Sequence, residues 1–139
     1  MRSNRFQIHE LTPINLYKNL HEDLLWSMLD DGLLETIDKI KEVFPLGTMT
    51  CNNYHWGGDR GWSGIRTKDS KYYSRGSQHS IGKACDFVFS AYTAKEVRDY
   101  IIENQDEFPY IGGIEMGTDW LHIDSRAKVN GKIKLFYPG

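Results

Sequence analysis

The sequence has few cysteines, no excess of charge of either sign and no long hydrophobic run. Two cysteines in 139 residues are too few for a disulfide scaffold. Seventeen lysines and arginines against 19 aspartates and glutamates leave a net charge of −2, which argues against a general binder of nucleic-acid phosphates. The mean hydropathy of −0.55 and the lack of a long apolar run exclude a membrane span. We therefore expect neither a nucleic-acid partner nor a membrane segment.

The chain also lacks repeats, low-complexity segments and charge blocks, so we expect one domain over residues 1–139. Residues 1–47 are predicted to form a helical lead-in, with an amphipathic helix over 31–44, and a further helix is predicted over 93–106. Residues 52–76, rich in Gly, Ser, Asn and aromatic residues, are predicted to form a long functional loop. Short strands are predicted over 48–53, 84–89, 110–115, 120–124 and 132–136. This order predicts an α+β fold with a small, mostly antiparallel sheet and flanking helices.

Two short segments carry residue types that bind metals. In the first segment, His79 in a polar turn precedes Asp86 inside a predicted buried strand. This segment reads Ser77-Gln78-His79-Ser80-Ile81-Gly82-Lys83-Ala84-Cys85-Asp86. An unpaired carboxylate is costly there, so Asp86 needs a cation or several hydrogen-bond donors. In the second, Asp119-Trp120-Leu121-His122-Ile123-Asp124, strand alternation places Trp120, His122 and Asp124 on one face.

Together, His79, Asp86 and His122 would make a zinc site with three protein ligands. Such a site leaves a fourth position for water, which is the arrangement of a catalytic rather than a structural zinc. Zinc lowers the pKa of this water toward ~7, and a nearby carboxylate must then pass the proton to the leaving amine. The candidates for this base are Asp119, Asp124 and Glu115. On residue types alone, an alternative stays open: Asp86 caps a turn and both histidines belong to an ordinary polar network.

The pattern Ser77-x-His79-x-x-Gly82-x-Ala84-x-Asp86, followed by Asp119-x-x-His122, resembles the signature of a family of zinc peptidases. These are the D-Ala-D-Ala carboxypeptidases and L-alanyl-D-glutamate endopeptidases, peptidoglycan peptidases of bacteria and phages. The resemblance covers about residues 48–126 and implies the hedgehog/D-Ala-D-Ala peptidase-like fold. It implies that His79, Asp86 and His122 bind zinc and that Asp119 is the catalytic base. Aspartate at this last position favours a phage-type endopeptidase.

Further residues follow from the same resemblance. Gly64-Ile65-Arg66 is similar to the family's Ser-Gly-Tyr-Arg segment, with Ile65 in place of Tyr, which implies that Arg66 helps to hold the substrate and its developing negative charge. The aromatic Trp120 also fits the second motif, and His122-Ile123-Asp124-Ser125-Arg126 is similar to a segment of phage-type members.

Three side chains are expected to act around the ligands. Strict alternation would turn Asp119 away from the face of His122, so Asp119 must lie in the turn before the strand or at a bulge. Asp124 is the alternative base, or else it orients a ligand histidine or pairs with Arg66 or Arg126. We expect Ser77 to make a turn hydrogen bond rather than to act as a nucleophile.

The two cysteines are assigned no part in the metal site. Alternation points Cys85 away from the face of Asp86, so we expect a buried, reduced thiol rather than a metal ligand. A disulfide between Cys51 and Cys85 stays open, because sequence cannot decide whether the geometry allows it.

These observations predict a monomeric, Zn²⁺-dependent peptidase that hydrolyses an amide bond in the peptidoglycan stem peptide. The alternative is a non-catalytic module of the same fold, stabilised by its metal and serving in a virion or in cell-wall binding. No apolar segment follows Met1–Arg5, so we expect no signal peptide. The enzyme would then be made in the host cytoplasm and act on the wall after release or as a virion component.

Overall fold

The computed structural model describes residues 1–138 of the chain. Four α-helices and five strands form a single α+β domain, and its sheet is open and mostly antiparallel, which confirms the predicted fold class. The helices are α1 (Ile14–Asn19), α2 (Glu22–Ser27), α3 (Asp31–Val43) and α4 (Ala94–Glu103). The strands are β1 (Met49–Thr50), β2 (Ala84–Phe89), β3 (Gly113–Glu115), β4 (Leu121–Asp124) and β5 (Lys134–Phe136).

The strand order in the sheet is β1-β2-β4-β3-β5. All neighbouring pairs are antiparallel except β3 and β5, which run parallel. The two central strands bring the motif segments together, because Asp86 of β2 lies directly opposite His122 of β4. The last strand, β5, lies at one edge of the sheet.

Helix α3 buries an apolar face in the hydrophobic core, to which residues of the sheet also contribute. Its buried residues recur every three or four positions, as the sequence pattern predicts, and Asp30 caps its first turn by accepting a hydrogen bond from the Leu33 N–H. At α4, Thr93 and Glu96 form a capping box. The core residues of α3 are Leu33, Leu34, Ile37 and Ile40.

Several elements are shorter than predicted. The strand predicted over 48–53 pairs with β2 at only two residues, Met49 and Thr50, because the chain then turns toward the N-terminal segment: the Asn52 N–H donates to the Glu10 carbonyl. Within the predicted helical lead-in, a short 3-10 helix (Ile8–Glu10) precedes α1.

The loop over residues 52–76 is held by its own polar side chains. The Asn52 side chain donates to the Thr12 carbonyl and accepts from the Ser63 N–H, at 3.1 and 2.9 Å. Arg60 donates to the Cys51 carbonyl at 2.9 Å. Two of these hydrogen bonds tie the loop to Thr12 and Cys51, so a segment with little regular structure is anchored to the residues that precede it.

Cys51 and Cys85 are both free and buried in the core. Burial, and then a hydrogen bond with Cys85, raise the pKa of the Cys51 thiol well above its ordinary value. The structure therefore has two reduced thiols packed as small apolar groups, as the strand alternation predicts for Cys85. No helix within residues 1–138 has both the length and the apolar character needed to cross a membrane.

Candidate metal centre

Three ligand-type side chains meet beside the central strands. His79 lies in a one-turn 3-10 helix (Gln78–Ile81), and Asp86 and His122 face each other across β2 and β4. Each is at most 8% exposed, and one potential ligand atom from each lies within 4.8 Å of the other two. We call these three residues the His–Asp–His cluster.

The turn that carries His79 is fixed at both ends. Ser77 caps it, since its hydroxyl accepts a hydrogen bond from the His79 N–H at 3.2 Å, which is the predicted turn role for this serine. Gly82 ends it with a φ of +73°, a left-handed conformation that favours glycine. A Cβ atom at Gly82 would also collide with the Met28 carbonyl. The glycine of the motif is thus required by backbone geometry.

The contacts around His79 define which of its nitrogens faces the cluster. Nδ1 lies 2.9 Å from the Gly64 carbonyl. A carbonyl oxygen can only accept, so Nδ1 carries a proton. In neutral His79, the lone pair is therefore on Nε2, which lies 3.3 Å from Asp86 Oδ1. The loop carbonyl orients this imidazole as a potential ligand.

His122 is oriented from its far side by a carboxylate. Its Nδ1 lies 2.8 Å from Asp86 Oδ1, and its Nε2 donates to Asp124 Oδ2 at 2.9 Å. The Asp124 side chain is fully buried and also receives a two-pronged hydrogen bond from Arg126, at 2.7 and 2.6 Å. Of the two arginines proposed as partners of Asp124, the structure selects Arg126. Asp124 is thus placed to orient His122, which is one of the roles expected for it.

The cluster fits a zinc ion in donor type and spacing. Two imidazole nitrogens and one carboxylate oxygen are a set that zinc accepts in catalytic sites. Bonds of about 2.0–2.1 Å in a tetrahedral site set neighbouring ligand atoms about 3.3 Å apart. Asp86 Oδ1 lies 2.8 Å from His122 Nδ1 and 3.3 Å from His79 Nε2. A zinc ion would therefore need only small side-chain adjustments here.

The charges in the cluster support one another. Burial by itself would raise the pKa of Asp86, but hydrogen bonds from His122 and His79 and their charge outweigh it, and they hold this pKa well below its usual range. Burial by itself would lower the pKa of His122, but hydrogen bonds to Asp124 and Asp86 prevail and raise it to about 9. Burial by itself would raise the pKa of Asp124, but hydrogen bonds from His122 and Arg126 outweigh it and lower this pKa to about 2. The two ionised carboxylates, Asp86 and Asp124, thus favour the protonated form of His122, which lies between them.

These shifts predict how the stability of chelator-treated protein depends on pH. The pKa of His122 is raised above its ordinary value of 6.5, so the stabilisation it provides is complete below pH ~6.5 and is lost as the pH rises through about 9. The loss should be on the order of 3 kcal/mol. Chemical denaturation at pH 6 and pH 9, in the presence of chelator, measures this loss of stability.

The His122→Gln variant should lose this decline in stability between pH 6 and pH 9. The control His21→Gln, at an exposed site, should keep it. An unchanged decline in His122→Gln would contradict the assignment.

Arg66 lies beside the cluster. Its Nε donates to the Trp62 carbonyl at 2.7 Å, and its Nη2 lies 3.2 Å from Asp86 Oδ2. The guanidinium carbon also stands 5.6 Å from the ring centre of Tyr72. Asp86 therefore contacts two imidazoles and a guanidinium rather than capping a turn.

The cluster and Arg66 line an open cavity of about 700 Å³. One wall of the cavity is formed by β3, β5 and the residues that flank β4, and it contributes Glu115, Trp120, Arg126 and Phe136. The opposite wall comes from the 52–76 loop and the turn before His79. A cavity this large, with a few convergent polar groups, can take a small ligand or a short peptide.

The predicted base, Asp119, lies outside the lining of this cavity. It is exposed, in the turn that precedes β4, which is one of the two positions that alternation allows. Within the described part of the chain it is not among the residues that line the cavity. Trp120 and Glu115 do line it, and the Trp120 indole N–H donates to Glu115 Oε1 at 3.2 Å.

Two contributors escape reasoning from sequence. The Gly64 carbonyl accepts a hydrogen bond from His79 and orients its ring. Because this carbonyl is a backbone group, no side chain in the sequence indicates the contact. Phe136 packs against His122 with ring centres 5.5 Å apart, and the Arg126 guanidinium stands 4.8 Å from its ring centre. The alternation of the last predicted strand assigns Phe136 to one of its two faces. Only the order of strands in the sheet brings that face near His122.

Comparison with protein-family models, curated proteins and solved structures finds no match to this chain.

Proposed function

We propose that this chain is a zinc-dependent peptidase that hydrolyses an amide bond in the peptidoglycan stem peptide. The observation that carries the proposal is the His–Asp–His cluster, which lines an open cavity together with an arginine and a glutamate. The motif resemblance around His79 and His122 supports the choice of substrate. A zinc ion, when bound, supplies the Lewis acidity that activates water and polarises a carbonyl.

The residues around the cavity have two proposed roles: to hold the zinc ion and to bind the peptide. His79, Asp86 and His122 would hold the ion, while the Gly64 carbonyl and Asp124 keep the two imidazoles in the orientation for binding. Arg66 is anchored through Nε and Nη2, and its planar guanidinium suits a peptide carboxylate or a carbonyl oxygen that gains negative charge.

Trp120 and Phe136 give one wall of the cavity an apolar surface. Such a surface can pack against the alkyl parts of a short peptide and exclude water from the amide bond. We also propose that the chain acts as a monomer, made in the host cytoplasm and reaching the wall after release or within a virion.

Digestion of purified peptidoglycan tests the proposal. With one equivalent of zinc the protein should release fragments with new amino and carboxyl termini, and mass spectrometry of these fragments identifies the cleaved bond. Chelator should abolish the release, and added zinc should restore it. A zinc-loaded protein that binds the wall without creating new termini would contradict the proposal and favour the non-catalytic module.

A further inference from the structure

The structure brings one carboxylate to the cluster that the motif does not mark. In the pairing of β3 with β4, Gly113 lies opposite Asp124 and Ile114 opposite Ile123. Continuing this register by one residue places Glu115 opposite His122. Directly opposed residues of an antiparallel pair point to the same face, with Cβ atoms about 4.5–5.5 Å apart. Glu115 therefore stands beside a proposed zinc ligand on the face that lines the cavity.

Neighbours on both sides fix the position of Glu115. On one side, Phe136 of β5 pairs with it in the parallel ladder and packs against the His122 ring. On the other, the Trp120 indole N–H donates to Oε1. Within residues 1–138 this is the one side-chain hydrogen bond to that carboxylate, so Oε2 keeps its lone pairs for a proton. A carboxylate that is oriented but still open to the cavity has the properties of a general base.

Asp119 lacks these properties. It follows Gly117, whose φ of +76° makes the turn between β3 and β4, and its side chain is exposed to solvent. The motif spacing of three residues before His122 sets Asp119 outside the strand, while Trp120, the residue after it, turns back toward the cavity. Sequence spacing and spatial proximity thus select different carboxylates.

We infer that Glu115, rather than Asp119, is the catalytic base, an inference that rests on the proposed peptidase function. The Glu115 carboxylate takes a proton from the attacking water as its oxygen bonds to the carbonyl carbon of the amide. The same proton then passes to the amide nitrogen as the C–N bond breaks. One water is consumed, a carboxylic acid and an amine are released, and Glu115 returns to its ionised form. Trp120 is a positioning residue that acts through Glu115.

A matched pair of variants, Glu115→Gln and Asp119→Asn, tests the inference in the zinc-loaded chain of 139 residues. Each removes one charge and keeps the shape of the side chain. Because general acid–base catalysis contributes about 10²–10⁴-fold, Glu115→Gln should lower the rate of peptidoglycan cleavage by at least about 100-fold. Its zinc content, measured by mass spectrometry, and its melting temperature should stay near those of the parent. Asp119→Asn should keep its cleavage rate within about threefold.

A second readout does not depend on activity. The indole ¹H–¹⁵N resonance of Trp120, assigned with Trp120→Phe, should move in Glu115→Gln, since its acceptor changes from a carboxylate to an amide oxygen. The same resonance should stay in place in Asp119→Asn. It reports the placement of Glu115 even if the parent protein cleaves nothing, an outcome that would refute the proposed function and with it the catalytic role.

Three results would overturn the inference while the peptidase function stands. These are loss of cleavage in Asp119→Asn with full cleavage in Glu115→Gln, loss of zinc from Glu115→Gln, and an unmoved Trp120 resonance in that variant. The second would make Glu115 a residue that retains the metal rather than a base.

Discussion

Asp86→Asn is expected to abolish zinc binding at micromolar zinc and all measurable cleavage of peptidoglycan. Asp86 is the one anionic member of the His–Asp–His cluster, and it contacts both imidazoles and Arg66. Loss of an outer partner of a metal ligand already costs about 10–100-fold in affinity. Loss of a direct ligand with its charge should therefore cost more than about 100-fold, which isothermal titration with zinc would measure.

The control is Asp99→Asn on the surface of α4. Asp99 is exposed and pairs with Lys95 within its own helix, so its charge change matches that of Asp86 without touching the cavity. Asp99→Asn should bind zinc as the parent does. If Asp86→Asn also bound zinc with unchanged affinity, the assignment of the ligands would be wrong. Circular dichroism of both variants separates metal loss from unfolding.

Gly113→Ala is expected to weaken zinc binding by about 10–100-fold, although residue 113 touches none of the three ligands. A Cβ atom at this position would stand 2.5 Å from both Asp124 Oδ1 and Arg126 Nε. The Asp124 carboxylate is buried and fixed by two strong hydrogen bonds, so it must shift. His122 then loses its partner, with the cost typical of an outer metal partner.

The same substitution should lower the free energy of unfolding by about 1–3 kcal/mol, the usual cost of overpacking. Zinc titration and thermal denaturation measure the two effects. Gly61→Ala is the matched control for both, because its added Cβ would meet only Tyr54 Cδ1 at an ordinary 3.8 Å. Equal zinc affinity in Gly113→Ala and the parent would show that Asp124 does not orient His122.

Much of the site could be predicted from sequence because its contributors lie in regular structure. A carboxylate in a buried strand must find donors or a cation, and Asp86 lies within 3.3 Å of side-chain nitrogens of Arg66, His79 and His122. Strand alternation places His122 and Asp124 on one face, and the two side chains touch. The cap of α4 also follows from local rules, since Thr93 and Glu96 are three residues apart.

The remaining features depend on long-range pairing. The register of β3 on β4 decides which carboxylate faces the cavity. A turn of a few residues sets this register, and the composition of the segment does not reveal it. The parallel contact between β3 and β5 likewise brings Phe136 to His122 from fourteen positions further along the chain. Short strands predicted only to within a few residues cannot fix such a register.

The backbone contact between Leu11 and the 52–76 loop has a consequence for how this protein can change over generations. The Leu11 carbonyl accepts from the Ile65 N–H at 3.1 Å and lies where a side chain at Gly64 would be, and Gly64 in turn orients His79. Substitutions near Leu11 are therefore expected to disturb the proposed metal centre, since they would move the backbone that positions Gly64 and, through it, His79.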